Sequence, residues 1–179
     1  IEVTGRAAHA GVEPEKGLSA IRVAAELIAR LPQGRLDHET TFNVGTIEGG
    51  TVRNAVPERT TVIGEFRSRN LESLDGVRLQ LLEAVNQVRR LFPDATIEER
   101  LSTEFEAYTL TDDDPATKRV MAALQTLGLK PTMVPSGGGT DGNIFRRKGI
   151  SAVVVGMADH NMHTKQEYVT IPDLVDAAH

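Results

Sequence analysis

The spacing of hydrophobic positions changes along the first part of the chain, and it predicts four strands and two helices there. Alternating or β-branched stretches predict strands over Ile1–Ala8, Thr40–Glu48, Arg59–Arg69 and Ala95–Tyr108. Helical spacing predicts an amphipathic helix over Leu18–Leu31 and a longer helix between the N-capping residue Asn70 and Pro93. The order β-α-β-β-α-β is typical of a ferredoxin-like α+β fold, which residues 1–109 complete.

A run of three aspartates, Asp112–Asp114, separates this unit from the rest of the chain. We interpret the run as a solvated linker rather than a metal site, and Asp114 followed by Pro115 is suited to begin a helix that Gly128 ends. Beyond this helix the pattern predicts two strands, Thr132–Pro135 and Ala152–Val155. It also predicts two further helices, Asn143–Lys148 and Ile171–Ala178. Residues 110–179 are therefore predicted to be part of an α/β domain, because they are too few for a whole one.

The composition excludes several classes of function. The 179 residues carry a net charge of -5 and no stripe of basic residues, so we expect no nucleic-acid partner. Cysteine is absent, which excludes thiolate chemistry and fits a cytoplasmic protein, and no apolar run approaches the length that crosses a membrane. Because the chain begins at Ile1, without Met and inside a predicted strand, we expect it to be a piece of a longer protein.

Two histidines stand on predicted loops. His9 lies between Gly5 and Gly11, where a strand leads into a helix; such loops often carry working side chains, and the same pattern fits an incidental exposed histidine. His163 follows the apolar stretch Ala152–Val155, a place suited to a ligand or a base, although the spacing alone favours an ordinary polar loop. A single histidine is not a zinc site, because zinc takes three or four protein ligands.

Groups suited to binding a carboxylate occur at two other places. The glycine run that contains Gly138 and Gly139, followed by Thr140, fits either an anion-binding loop or a tight turn. Asn54 lies on a turn and Arg67 near the end of the following strand, so the two would face one side of the sheet if their segments are adjacent. Arginine holds carboxylates through two parallel hydrogen bonds, although each residue alone also fits an ordinary turn or strand edge.

Six ordered segments resemble the zinc-dependent exopeptidase family that includes peptidase T, carboxypeptidase G and aminoacylase, with the peptidase T branch the most similar. The segments are Gly5–Gly17, Asn43–Gly50, Asn54–Pro57, Glu65–Ser68, Gly137–Gly142 and His163–Glu167. The resemblance covers nearly the whole chain. It implies that residues 1–109 are a lid domain and that residues 110–179 are the C-terminal part of the catalytic domain into which the lid is inserted.

The resemblance also implies roles for individual residues. The lid would form a homodimer, with His9 as a catalytic residue that reaches the partner subunit's active site and polarises the scissile carbonyl. His163 would be a metal ligand in a parent enzyme that holds two zinc ions and hydrolyses short peptides. The implied substrate-binding residues are Asn54, Arg67, Gly138, Gly139 and Thr140.

The family's other metal ligands and its general base lie N-terminal to the lid, and this sequence does not contain them. They comprise a His-x-Asp motif, a bridging aspartate, a pair of glutamates and a further carboxylate. We therefore expect this chain alone to bind zinc weakly and to be inactive. Two other functions share the same motifs: an amidohydrolase acting on N-acyl or N-carbamoyl amino acids, and a non-catalytic dimerisation module.

Overall fold

The computed structural model describes residues 1–156 and 159–178, which form two compact units. The first unit comprises Ile1–Ala107 with Pro135–Gly137, and the second comprises Tyr108–Val134 with Gly138–His179. Their assignment to a lid domain and to part of a catalytic domain stays a prediction.

The first unit is built on a five-stranded antiparallel sheet. Its strands are β1 (Glu2–Thr4), β2 (Gly34–Arg35), β3 (Thr41–Gly49), β4 (Arg59–Arg67) and β5 (Thr96–Glu98). They lie in the order β2-β3-β4-β1-β5. Without the two-residue β2 this is the ferredoxin-like order, which confirms the predicted α+β fold.

Two helices, α1 (Ala20–Ile28) and α2 (Leu71–Leu91), pack on one face of this sheet. Each begins at a residue whose side chain accepts a backbone hydrogen bond, as an N-cap does. Ser19 accepts from Arg22, and Asn70 accepts from the amides of Glu72 and Ser73 at 2.9 and 3.1 Å. The core between helices and sheet is aliphatic except for one phenylalanine: Val3, Ala20, Val23, Ala24, Leu27, Leu31, Phe42, Val62, Val77, Leu81, Ala84, Val85, Val88 and Ile97.

The other face of the sheet carries exposed and mainly polar side chains. Along β4, Thr60 and Val62 are buried, whereas Thr61, Glu65 and Arg67 are exposed, as alternation along a strand requires. Most of this open face is therefore available to solvent in the first unit.

Several predicted strand bounds are wrong. The first strand ends at Thr4 instead of Ala8, because the amide of Gly5 bonds to Glu58 and Arg6 then pairs with Leu18. The strand predicted over Ala95–Tyr108 is limited to β5, where β1 supplies the partner. The helix predicted over Leu18–Leu31 is also shorter at both ends, and β2 was not predicted from the sequence.

The second unit contains three helices among its described residues: α3 (Pro115–Thr126), α4 (Asp141–Arg147) and α5 (Ile171–Ala178). The predicted helices are thereby confirmed, with α4 beginning two residues early. The predicted strands Thr132–Pro135 and Ala152–Val155 are wrong, because neither segment has a ladder partner in the described residues. No helix in residues 1–156 and 159–178 is long and apolar enough to cross a membrane.

Asp114 ties the start of α3 to α4 and to the segment after it. Its carboxylate accepts from the amides of Ala116 and Thr117 and from the hydroxyl of Ser151, at 2.8 Å for the hydroxyl, and it forms an ion pair with Arg146. The Arg146 guanidinium, which also lies over the ring of Tyr108, is the main reason that the pKa of Asp114 falls to about 2. The interpretation of Asp114 as an N-cap is confirmed.

Candidate functional site

The loop that carries His9 is closed at its base by backbone hydrogen bonds. Arg6 and Leu18 exchange two of them, at 2.9 and 2.8 Å, so the chain leaves and returns at one point. A Cβ at Gly5 would lie 2.0 Å from the carbonyl oxygen of Leu18, so only glycine allows this closure. Residues 7–17 therefore form a loop with fixed ends, which places His9 on the surface of the first unit.

The structure brings His9 and Asn54 together. The amide of Ala10 donates to the carbonyl of Asn54 at 3.0 Å, and the amide of Val56 donates to the carbonyl of Ala8 at 2.9 Å. These bonds pair His9 with Ala55 as an isolated antiparallel bridge between the 7–17 loop and the β3–β4 connection. The side chains of His9 and Asn54 are both exposed on this pair of loops, at one end of the sheet.

The imidazole of His9 has one nitrogen engaged and one left as a donor. Its Nδ1 accepts a hydrogen bond from the amide of Gly11 at 3.2 Å. In a neutral imidazole the nitrogen that accepts carries no proton, so the proton resides on Nε2. An exposed Nε2–H group on a loop with fixed ends can donate to a carbonyl oxygen or an oxyanion. The catalytic role of His9 stays a prediction.

Arg67 lies at the other end of the sheet. It is the last residue of β4, whereas Asn54 and His9 lie beyond the first residue of that strand. Nine strand residues span about 26 Å at about 3.3 Å per step, which is much longer than an arginine side chain. Within one chain, Arg67 therefore lies too far along the strand to join His9 and Asn54 in a single site. The substrate-binding roles of Asn54 and Arg67 stay predictions.

Two acceptors of the first unit hold the guanidinium of Arg67. Nη2 donates to the carboxylate of Glu65 at 2.7 Å, and Nη1 donates to the carbonyl of Gly137 at 3.3 Å. The sequence analysis predicts no role for Glu65. The signal that points to it is its position two residues before Arg67 in a predicted strand, which places both side chains on one face.

The glycine run leads into the N-terminus of α4. The hydroxyl of Thr140 accepts from the amide of Gly142 at 3.2 Å, and the amide of Thr140 donates to Asn143 at 2.9 Å, which makes a reciprocal capping box. Thr140 thus has a structural task at the start of a short helix. Gly138 and Gly139 are exposed, and the substrate-binding role of all three residues stays a prediction.

His163 lies in the second unit, on a loop whose ends, His160 and Tyr168, are joined by hydrogen bonds and ring stacking. His160 and Tyr168 exchange two backbone hydrogen bonds, and their rings stack at 4.7 Å. His163 has a left-handed backbone with φ 63°, and its amide donates to the Glu167 carboxylate at 2.7 Å. Within residues 1–156 and 159–178, no group of three or more metal-ligating side chains comes together, so the described residues do not by themselves make up a zinc site.

The first unit corresponds to a domain found in peptidases. A family model described as the peptidase dimerisation domain, M20_dimer, matches residues 1–90. The chain belongs to this M20 peptidase family, and the resemblance to the peptidase T branch is confirmed.

Individual relatives extend the likeness over nearly the whole chain. An aminopeptidase PepT from Bacillus cereus is 33% identical, with a TM-score of 0.73 over 99% of this chain and 47% of that one. A tripeptidase from Staphylococcus aureus is 28% identical, with a TM-score of 0.74 over 97% of this chain and 46% of that one. The uncharacterised protein YqjE of Bacillus subtilis is 34% identical over 98% of this chain and 47% of its own length. The chain thus spans about half the length of these relatives.

Proposed function

We propose that this chain is part of a zinc peptidase that hydrolyses short peptides, and that two copies of the chain contribute to each active site. The observation that carries the proposal is the separation of His9 and Asn54 from Arg67, at opposite ends of β4, in a domain of a dimerisation family. Similarity to an aminopeptidase and to a tripeptidase over nearly the whole chain supports short peptides as the substrates.

His9 and Asn54 act from one end of the sheet in this proposal. The Nε2–H group of His9 donates to the scissile carbonyl oxygen as negative charge develops there, which lowers the barrier to attack on the peptide bond. Asn54, whose backbone is bonded to the same loop, supplies amide donors and an acceptor to the substrate.

Arg67 acts from the opposite end. Its guanidinium keeps N–H groups beyond those donated to Glu65 and Gly137, and it receives the terminal carboxylate of a peptide. Since β4 separates this end from His9, we propose that Arg67 of one subunit works with His9 of the partner subunit. Two-fold symmetry then gives two equivalent sites in each dimer.

His163 contributes one ligand to the metal site in this proposal. Zinc, when bound, supplies a Lewis acid and an activated water. The described residues bring together no group of three or more potential metal ligands, so this proposal takes the remaining ligands and the general base from parts of the whole protein outside this chain. A cytoplasmic location stays a prediction.

Mixing of inactive variants of the whole protein tests the shared site. His9→Ala and Arg67→Ala are each expected to lower activity strongly, whereas a mixture allowed to exchange subunits regains about a quarter of the wild-type activity. The reason is that half of the exchanged molecules are heterodimers, in which one site receives an intact Arg67 and an intact His9. Tripeptide hydrolysis measures the recovery, and differently tagged subunits measure the exchange.

A matched mixture serves as the control. His9 and Asn54 lie at the same end of the sheet, so His9→Ala mixed with Asn54→Ala leaves every site with one defect and gains nothing. If the His9→Ala and Arg67→Ala mixture also gains nothing after proven exchange, the shared site is wrong. Cleavage of an N-carbamoyl amino acid without tripeptide hydrolysis would favour the amidohydrolase function instead.

A further inference from the structure

Glu65 and Arg67 form a pair on the open face of the sheet. Both belong to β4 and stand two residues apart, so their side chains leave the strand on the same side. The carboxylate of Glu65 takes one N–H of Nη2, and the carbonyl of Gly137 takes one N–H of Nη1. A guanidinium is planar and carries five N–H groups, so two acceptors on different nitrogens define its orientation and leave three donors.

The backbone beneath this pair is held firmly. On the opposite face of the same strand, Phe66 stacks against Phe42 with ring centroids 5.9 Å apart. Ser68, the residue after Arg67, shares a hydrogen bond of 2.9 Å with Thr40, which is buried. The long side chain of Arg67 is half-exposed, so its order depends on the acceptors at its tip.

We propose that Glu65 is a positioning residue, which holds the Arg67 guanidinium in the orientation that receives the terminal carboxylate of the substrate. The inference rests on the proposed function, in which Arg67 binds that carboxylate. Glu65 has two opposing effects: its hydrogen bond orients the guanidinium, and its negative charge repels an incoming carboxylate. The orienting effect prevails, because a site with fixed geometry loses less side-chain entropy when it binds.

Recognition of the carboxylate is measured by comparing two substrates in the whole protein. The ratio of kcat/KM for a tripeptide to kcat/KM for the same tripeptide with a C-terminal amide reports how strongly the carboxylate is bound. Arg67→Ala abolishes the preference for the carboxylate. Glu65→Ala lowers it about fivefold, mainly through KM, because the contact is present in both ground state and transition state.

The substitution Glu65→Gln separates orientation from charge. Glutamine keeps an acceptor oxygen at the same distance from the backbone, so this variant retains most of the preference for the carboxylate. The double variant Glu65→Ala/Arg67→Ala is no worse than Arg67→Ala, because Glu65 acts only through Arg67. Glu98→Ala is the matched control: Glu98 precedes Arg100 by the same spacing at 3.7 Å, and its loss leaves the ratio unchanged.

A second measurement does not depend on hydrolysis. The measurement is the mobility of the Arg67 side chain, observed through its Nε–H signal in the nuclear magnetic resonance spectrum of the whole protein. The signal is identified by its loss in Arg67→Lys. In the wild-type protein we expect this signal to show a restrained group. In Glu65→Ala it acquires the mobility of exposed arginines, and in Glu65→Gln it does not. If the wild-type protein hydrolyses neither peptide, the proposed function fails while this signal still decides the role of Glu65.

Three results would overturn the inference. An unchanged substrate ratio in Glu65→Ala would mean that Arg67 needs no support from Glu65. An increase of the ratio in both Glu65→Ala and Glu65→Gln would mean that Glu65 competes with the substrate. An Arg67 signal that is already as mobile in the wild-type protein as those of exposed arginines would mean that the pair does not order the guanidinium in solution.

Discussion

Asp114 has two structural tasks at the residue scale, and the second of them needs its negative charge. It caps α3, and it holds Arg146 of α4. Because the pKa is lowered from 3.8 to about 2 in the folded chain, the carboxylate stabilises the fold above pH 3.8, and the stabilisation is lost as the pH falls through about 2. Stability of the second unit is therefore sensitive to acid.

The substitution Asp114→Asn tests this dependence. Asparagine still accepts hydrogen bonds from the backbone amides but carries no charge opposite Arg146. We expect a lower unfolding midpoint than wild type at pH 7, and the two midpoints to converge as the pH approaches 2. Denaturant unfolding followed by circular dichroism at several pH values measures this. Asp113→Asn, which changes an exposed carboxylate paired with Lys118, is the control and should change the midpoint little.

Some features of the candidate site could be predicted from the sequence, and others could not. The loop positions of His9 and Asn54 follow from local signals, because turns and strand ends are local features. Their pairing does not, since it depends on the bridge between His9 and Ala55, two segments far apart in the chain. The separation of Arg67 from Asn54 follows from the length of β4, and the strand predicted over Arg59–Arg69 already implies it.

At the scale of single elements, one glycine in a strand and one in a helix allow a matched test of how closely each element is packed. In β4, a Cβ at Gly64 would lie 2.6 Å from the carbonyl oxygen of Asn43 in β3, so the strands would have to move apart. In α2, a Cβ at Gly76 would meet no atom within 4 Å.

We expect the same substitution to have opposite effects at these positions. Gly64→Ala should destabilise the first unit by about 1–3 kcal/mol, as overpacking does. Gly76→Ala should stabilise it by about 0.5–1 kcal/mol, because alanine is the better helix former. Chemical denaturation of both variants measures the two changes in the free energy of unfolding. A stable Gly64→Ala protein would contradict the close approach of β3 and β4.

Helices were better predicted than strands for a physical reason. A helix forms its hydrogen bonds within one segment, so caps such as Asn70 and Asp114 mark it in the sequence. A strand ends where its partner ends, and for β1 and β5 that partner is distant in the chain. The apolar stretch Ala152–Val155 has the composition of a strand, yet the described residues offer it no partner.

The two units differ strongly in burial at the scale of the whole molecule. The first has a continuous aliphatic core. Among the described residues of the second, only Thr117 and Gly142 are buried, and large apolar side chains such as Phe145, Val154 and Leu174 are 46–57% exposed. Because burial of apolar surface is the main source of stability, the second unit by itself gains little from folding.

We therefore expect the two units of this 179-residue chain to open at different rates. Amide hydrogens of α2, such as those of Val85 and Val88, should exchange with solvent orders of magnitude more slowly than those of α3, because opening α2 requires exposure of the core. Hydrogen exchange followed by mass spectrometry measures the difference. Equal protection of α2 and α3 would mean that the second unit has support that its burial pattern does not indicate.

The position of β1 between β4 and β5 also governs the order of folding. Val3 pairs with Thr60 on one side and with Ile97 on the other, so β1 waits for partners that are synthesised much later in the chain. The β3–β4 hairpin and the helices form from nearby residues, whereas closing the centre of the sheet requires slow, long-range contacts. Once β4 has paired with β1, the other edge of β1 stays open until β5 is made, and β5 of a neighbouring nascent chain can pair with it. Crowded synthesis on one messenger therefore favours exchange of β5 between copies.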